Sequence, residues 1–436
     1  MYVAIDDTDS REGMCTSYLL AKMIAEMPYD LIGLPRLVRL NPAVPWKTRG
    51  NGALTMRVGI GGGSPRTIGG CDGDDIVFFP RLKKEVDADE VVDLFLPLIE
   101  EHQQPGSNPG FVVSRTKPPQ SFYWKGVRDI LEIEEVETML DDMGAVRHGI
   151  GDGRGIIGAA CGMAWRPRDR SLEMLAYRDI VRWGSERTLS ISSVERMDAL
   201  YPSTFNNIEL RWRKVAISPS TPCPVLLGVR GDDLDDLLEA RKVLEGEEPA
   251  MWLTFLSNQG SDDHIIEDAS ELLPDRSYRL RMTVSSQAIE NKGGFVIIRS
   301  TQRGQEMDCA AYEPSKEFRE VLRALRPGDE IEAFGELRDS PRTLNLEKLR
   351  VLSVADVNVK KGNPRCPRCG KAAKSVGKDA GYRCRHCSVH IPEDEVPMER
   401  EARILIPGWY EPPVCARRHL SKPLCRMGLY QPLDFV

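Results

Sequence analysis

"YVAIDDTDSREGMCTSYLLAKMIAEM", residues 2–27, holds a short apolar run, three carboxylates and an amphipathic stretch in close succession. Tyr2 to Ile5 reads as a buried strand, and from about Thr16 to Met27 the apolar positions Leu19, Leu20, Met23, Ile24 and Met27 recur at the helical period. Asp6, Asp7 and Asp9 sit at the strand's tip. Like charges this close repel, so the arrangement is costly unless a cation sits among them. The three carboxylates can bind a hard divalent cation through oxygen. Gly13 permits a tight turn, and Thr16 or Ser17 can cap the helix, whose free N–H groups then face an anion. A Mg²⁺–phosphate site fits this pattern; on spacing alone, so does an exposed acidic turn closed by a Thr cap.

Two Gly-rich pieces favour the first reading. In "KTRGNGA" (47–53), Lys47 and Arg49 stand next to Gly50 and Gly52, a pairing of cations with backbone amides suited to phosphates. "GIGGGSPR" (59–66) is looser. No GxxxxGK[ST] occurs, which excludes a P-loop NTPase.

Outward from the opening stretch, strand and helix patterns alternate, which places the chain in a multidomain α+β class. We divide it at 1–150, 151–268, 269–355 and 356–436. Helices are expected near Asp89–Glu101 and Ile133–Asp142. In the second region the strand-like "CPVLLGVRG" and "MWLTFLSN" flank the helical "DDLDDLLEARKVLEG", a pattern that fits a small ferredoxin-like domain. There "FLSNQGSDDH" (255–264) reads either as a polar pocket for a small cation or as an interdomain loop. The third region alternates in the β manner around one helix-like segment, Ser315–Leu325. Five short strands and one helix suggest an OB barrel, which binds nucleic-acid strands on one face.

The fourth region carries Cys366-Pro-Arg-Cys369 and, 14 residues on, Cys384-Arg-His-Cys387. Two such knuckles supply four thiolates to a tetrahedral Zn²⁺ with no open position, hence a structural site. His386 and His390 read as surface residues rather than ligands. Charge is uneven: residues 1–355 carry 44 Lys+Arg against 57 Asp+Glu, and residues 356–436 carry 15 against 9. Although the net charge is −7, a basic C-terminal module on an acidic body points to a polyanionic partner. No stretch reaches the roughly 20 apolar residues of a membrane helix, and no N-terminal signal is evident. The scattered single cysteines suit a reducing, cytoplasmic setting.

Taken in order, "IDDTDS", "GMCTSYL", "TRGNGA", "GIGDGRGIIGA", "YPSTFNN", "CPVLLGVRG", "NQGSDDH", the barrel-like segment and the paired CxxC units resemble the archaeal 2-agmatinylcytidine synthetases of the minor isoleucine tRNA, over essentially the whole chain. The resemblance implies a kinase-like ATP-binding domain, a ferredoxin-like domain, an OB fold and a zinc ribbon. It implies ATP-dependent attachment of agmatine to the 2-carbon of the wobble cytidine in the CAU anticodon, so that the tRNA reads AUA. It further implies that ATP is split to AMP and that a Thr, here Thr16, accepts phosphate. On that basis Asp6 and Asp7 handle Mg²⁺ and phosphate with Asp9 in support. Gly13, Lys47, Arg49, Gly50 and Gly52 serve the nucleotide, while agmatine is expected near Cys223–Arg230 and Asn258–Asp262. The alternative is a non-catalytic OB/zinc-ribbon nucleic-acid-binding protein with a nucleotide-sensing domain, which has no need of an acidic triplet. Lysine-adding enzymes of the PP-loop type are excluded by the absence of SGGxDS.

Overall fold

The computed structural model describes residues 1–436 except 49, 378–379 and 429–436. Strand β1 (Tyr2–Asp6) runs between strands Gly52–Gly62 and Gly110–Ser114, antiparallel to both. It is therefore a central strand, and Val3, Ala4 and Ile5 are wholly buried. The chain then passes into α1 (Thr16–Glu26), which lays Leu19, Leu20, Met23 and Ile24 against the sheet. The helices expected near Asp89–Glu101 and Ile133–Asp142 run Ala88–His102 and Ile133–Asp142.

The first and second regions share one 13-stranded sheet. Met251–Ser257 makes the junction: it pairs with Ser171–Tyr177 on one side, with Arg66–Cys71 on the other, and in parallel with Arg36–Arg39 at its end. Three helices have no counterpart in the sequence reading, Ile191–Leu200, Gln120–Arg128 and Gly155–Ala164. Four of the residues from Gly151 to Gly158 are glycine, which lowers helix propensity. Helix Gly155–Ala164 is held by burial instead, with Ile156, Ala159, Ala160, Cys161, Met163 and Ala164 packed under β1 and its neighbours.

Five strands of the third region close a barrel: Arg276–Val284, Val296–Gln302, Gln305–Ala311, Glu330–Asp339 and Arg342–Ser353. The first pairs with both second and fourth, the third runs parallel to the fifth, and helix Phe318–Ala324 lies between third and fourth. Leu280, Ile298, Ile331, Leu344 and Leu349 fill the interior. Beyond the barrel, a small three-stranded sheet carries the paired CxxC units. The chain then returns: Gly408–Tyr410 pairs with the fifth barrel strand at Leu349↔Tyr410, and the following tail crosses back to the second region.

Candidate active site

A cavity of about 720 Å³ opens where the first region, the second region and the C-terminal tail meet. Asp6, Asp7, Asp9, Thr16, Lys47, Gly50 and Gly52, singled out from sequence, all line it. Gly13 lies just outside, in a turn closed by Ser10 N–H donating to its carbonyl at 3.2 Å. The left-handed residue of that turn is Met14 (φ 60°), so the conformational freedom expected of Gly13 is used by its neighbour. Arg49 lies outside the described residues.

β1 ends by delivering its carboxylates into the cavity. Asp6 accepts the Asp7 backbone N–H at 2.8 Å. Burial, and then the Asp7 charge, push the Asp6 carboxyl up to about 8. Asp7 sits in the left-handed region (φ 54°), where a non-Gly residue is uncommon and often functional. Its carboxylate accepts Asn108 N–H at 3.2 Å and the Thr48 hydroxyl at 3.4 Å, and burial raises its pKa as well. Carboxylates pushed toward neutrality by burial, and then by neighbouring negative charge, are a donor set that a divalent cation relieves. The three do not converge as tightly as the cysteines below. Mg²⁺ commonly takes only one or two protein carboxylates, with phosphates and water completing its octahedron.

The expected cap at Thr16 or Ser17 is not formed. Cys15 occupies the N-cap without a side-chain hydrogen bond, and Thr16 is the first helical residue. The Thr16 hydroxyl instead accepts from the Thr8 hydroxyl at 3.1 Å. Its side chain is buried at the cavity lining, so its role is not that of a solvent-facing cap.

Arg39, Trp46, Glu173 and His419 line the cavity and carry no local sequence signal, whereas Arg230 belongs to the expected stretch Cys223–Arg230, of which Cys223, Val225 and Gly228 also line it. Arg39 reaches between β1 and the second region, with its guanidinium 3.9 Å from Glu173. A Cβ at Gly50 would stand 2.5 Å from Arg39 Nη1, and one at Gly52 3.1 Å, so these glycines make room for that side chain as well as exposing amides. Glu173, 2% exposed, accepts Arg230 Nε at 3.0 Å and the Gln259 amide. His419, from the tail, contacts Gln259 at 2.9 Å and Arg230 at 3.2 Å, and the Arg39 charge together with burial holds its pKa well below normal. Trp46, half exposed at 52%, stacks with the Arg154 guanidinium at 4.4 Å on the cavity lining. Lys47 sits on the barrel side, where burial and then Arg418 lower its pKa.

The polar cluster 258–263 is mostly spent on structure. Asn258 bonds the Arg39 backbone and the Tyr123 hydroxyl, Asp262 pairs with Lys348 at 2.5 Å, and Asp263 accepts the Tyr123 hydroxyl at 2.5 Å. Of that group only Gln259, through Glu173 and His419, reaches the cavity's edge.

Some distance away, Cys366, Cys369, Cys384 and Cys387 bring ligand atoms within 4.8 Å of one another, the only such set of three or more potential ligands among the described residues. Backbone N–H groups of Cys387 and His386 pull the Cys384 thiol down to about 6, whereas its hydrogen bond with Cys369 pushes the Cys387 thiol up to about 12, so that a cation is needed to hold all four as thiolates. Four thiolates fit a closed, structural Zn²⁺ site. His386 and His390 are exposed. No helix among the described residues is long and apolar enough to cross a membrane.

Family models described as the TiaS TCKD domain, the TiaS FLD domain and the TiaS C-terminal zinc ribbon domain match residues 2–152, 153–264 and 363–404. The isoleucine-2 tRNA 2-agmatinylcytidine synthetase TiaS of Archaeoglobus fulgidus is 37% identical to this chain, with 98% of each covered. That of Methanosarcina mazei is 38% identical, covering 98% of this chain and 97% of the relative. Among solved structures, the complex of TiaS with the isoleucine-2 tRNA and ATP superposes with a TM-score of 0.85 at 35% identity, covering 100% of this chain and 99% of that one. The complex of TiaS with the same tRNA, AMPCPP and agmatine gives 0.82 at 34%, with the same coverage.

Proposed function

The chain belongs to the TiaS family of isoleucine-2 tRNA 2-agmatinylcytidine synthetases, and from that membership we propose that it joins agmatine to the 2-carbon of the wobble cytidine in the CAU anticodon of the minor isoleucine tRNA at the expense of ATP. The observation that carries the reading is the shared cavity. One end gathers cation-demanding carboxylates, and the other is walled by the second region and by the tail that returns from the ribbon.

The chemistry asks for such an arrangement. The 2-oxygen of cytosine is a poor leaving group. Transfer of a phosphoryl group breaks a P–O bond of ATP and forms C2–O–P. The primary amine of agmatine then forms a C–N bond at C2 as the C–O bond breaks, phosphate departs, and the nitrogen gives up its proton. Asp6 and Asp7, with Asp9 in support, would hold Mg²⁺, which would supply neutralisation of phosphate charge. Lys47, Gly50 and Gly52, with Arg49 of the same segment, contact phosphates, and Gly13 shapes the adjoining turn. Thr16 is the phosphoacceptor of the protein itself; its hydroxyl on the cavity lining supports that role. Agmatine lies along the second-region wall.

Residues 1–150 are the kinase-like ATP-binding domain, 151–268 the ferredoxin-like domain, 269–355 an OB fold and 356–436 the zinc ribbon with its basic tail. The order of the five barrel strands and the position of their helix support the OB reading. Exposed basic residues of the ribbon, among them Arg365, Arg368, Lys371, Lys374, Arg383 and Arg385, are available to tRNA phosphates. The protein works in the cytoplasm, where its thiols stay reduced.

A direct test incubates the zinc-loaded protein with Mg²⁺-ATP, radiolabelled agmatine and a transcript of the CAU-anticodon isoleucine tRNA. Label should enter the tRNA and depend on ATP. No transfer by folded, zinc-loaded protein refutes the reading and returns the passive nucleic-acid binder to first place.

A further inference from the structure

Residues 218–225, "SPSTPCPV", form part of the cavity wall on the second-region side. Three of the eight are proline, which has no N–H to give a sheet ladder, so the segment cannot hold its shape by backbone pairing alone. Its carbonyls still need donors. One side chain answers that need. Arg187 donates to the carbonyls of Pro219 at 2.9 Å, Thr221 at 2.8 Å, Cys223 at 2.9 Å and Val225 at 2.9 Å. The acceptors fall at every second residue of a segment that bends, with Cys223 N–H donating back to the Thr221 carbonyl at 2.8 Å, so that the four carbonyls converge on one group. A planar guanidinium with five fixed N–H groups suits such a row; an ammonium does not.

Arg187 is itself anchored. Arg178, 1% exposed, forms a two-pronged pair with Glu247 at 2.7 Å and donates to the carbonyls of Ser185 at 2.7 Å and Glu186 at 2.9 Å. Glu247 N–H donates in turn to the Thr188 carbonyl at 2.9 Å. The residues on both sides of Arg187 are thus fixed by a buried ion pair, and Arg187 passes that rigidity to the proline-rich segment. Ser218, Ser220 and Thr221 line the cavity; the Ser218 hydroxyl donates to the Leu226 carbonyl at 3.0 Å and that of Thr221 to Cys223 Sγ at 3.5 Å, which leaves oxygen lone pairs to accept from a cationic amine or guanidinium.

We infer that Arg187 is the positioning residue of the amine-binding wall, fixing segment 218–225 so that its polar groups meet agmatine without Arg187 touching the substrate. This rests on the reaction proposed above, and its consequence is a split between substrates. Arg187→Met should raise the agmatine KM at least tenfold, with kcat at saturating agmatine and the Kd for tRNA within about twofold of wild type. Arg187→Lys, whose ammonium reaches fewer of the carbonyls, should fall between the two. Arg213→Met, which breaks an exposed pair with Glu195, is the control and should leave all three constants unchanged.

Hydrogen exchange supplies a readout that needs no agmatine turnover. Amides of 218–225 should exchange faster in Arg187→Met, with those of β1 and the barrel unaltered. Exchange unchanged in that segment overturns the positioning role, whatever the activity. Faster exchange with an unchanged agmatine KM, or a kcat loss without a KM change, overturns the link to the amine. A wild-type enzyme that transfers no agmatine refutes the reaction and, with it, the amine half of the inference, while the exchange data still decide whether Arg187 holds the wall.

Discussion

Gly158→Ala offers the sharpest test of the acidic end of the cavity. Gly158 lies in helix Gly155–Ala164, beneath the tip of β1, and a Cβ built there would stand 1.7 Å from Asp6 Oδ2 and 2.6 Å from its Cγ. A comfortable C···O contact is about 3.3 Å, so one or both groups must move by more than an ångström. The helix has little room to retreat, since helix Gln120–Arg128 packs on it closely enough that a Cβ at Gly126 would stand 2.6 Å from Cys161 Sγ. Asp6 must give way. Overpacking of this kind costs about 1–3 kcal/mol, while replacing a helical Gly by Ala returns about 1 kcal/mol. The net loss of stability is therefore at most about 2 kcal/mol. Displacing a reacting group by about 1 Å costs on the order of 100-fold in rate. The expected result is ATP turnover down about 100-fold, tRNA affinity by filter binding near wild type, and a small fall in melting temperature. In the double variant with Asp6→Ala the clash is gone, so the melting loss should disappear while turnover stays low. ATP turnover within threefold of wild type in Gly158→Ala would refute the assignment of Asp6 to the chemistry.

Asp7→Asn should abolish ATP turnover with tRNA binding nearly intact; lost tRNA binding with normal turnover would show that the nucleotide end is misplaced. Cys366→Ser should lose zinc by elemental analysis and weaken tRNA binding, whereas unchanged metal content contradicts the ligand set. Truncation after Tyr410 removes Val414, Cys415, Arg417 and His419 from the cavity wall and should bring agmatine transfer to background while the ribbon still loads zinc. For Glu347, burial pushes its pKa up, but the charges of His264 at 2.8 Å and Arg418 at 3.4 Å prevail and hold it at about 2, below an unfolded value of 4.5. A depressed carboxyl contributes stability above the unfolded value and loses it as pH falls toward the folded one, here about 3 kcal/mol. The melting difference between wild type and Glu347→Gln should therefore be largest above pH 5 and shrink between pH 4.5 and 2.

What the sequence disclosed was whatever depends on neighbours along the chain. The strand–turn–helix of residues 2–27, the helix Ile133–Asp142 and the five barrel strands follow from periodicity. The cysteine set follows from spacing, because each CxxC knuckle is a local loop. Helix Gly155–Ala164 was illegible because glycine hides it: Gly155 and Gly158 are there to let the helix approach β1, a requirement visible only once β1 is beside it. The same limit applies to the site. Asp6, Asp7 and Thr16 lie within 11 residues of one another, whereas Arg39, Glu173, Arg230 and His419 meet only because Met251–Ser257 joins two regions into one sheet and the tail returns from the ribbon. No local pattern encodes either event.

The basic C-terminal quarter shows how far composition can be pushed. Its charge suggests one polyanion-binding surface, yet its positive residues divide by position. In the tail, Arg417 pairs with Glu411 at 2.7 Å, Arg418 with Glu336 and Glu347, Lys422 with Asp169 at 2.8 Å, and Arg426 with Asp169 at 2.9 Å and Asp232 at 2.8 Å. Arg417 is neutralised within the tail and the others by the acidic body they strap, and several of them are largely shielded from solvent, as Arg426 is at 7% exposure. They hold the tail across the cavity and have little left to offer phosphates. The exposed cations of the ribbon keep a surface on which counterion release can act. Coulomb energy depends on where a charge ends up rather than on how many there are, so the excess of 15 basic over 9 acidic residues is a sum of two unlike parts. The tail's share of it is spent beside the cavity, and only the ribbon's share is left exposed to solvent.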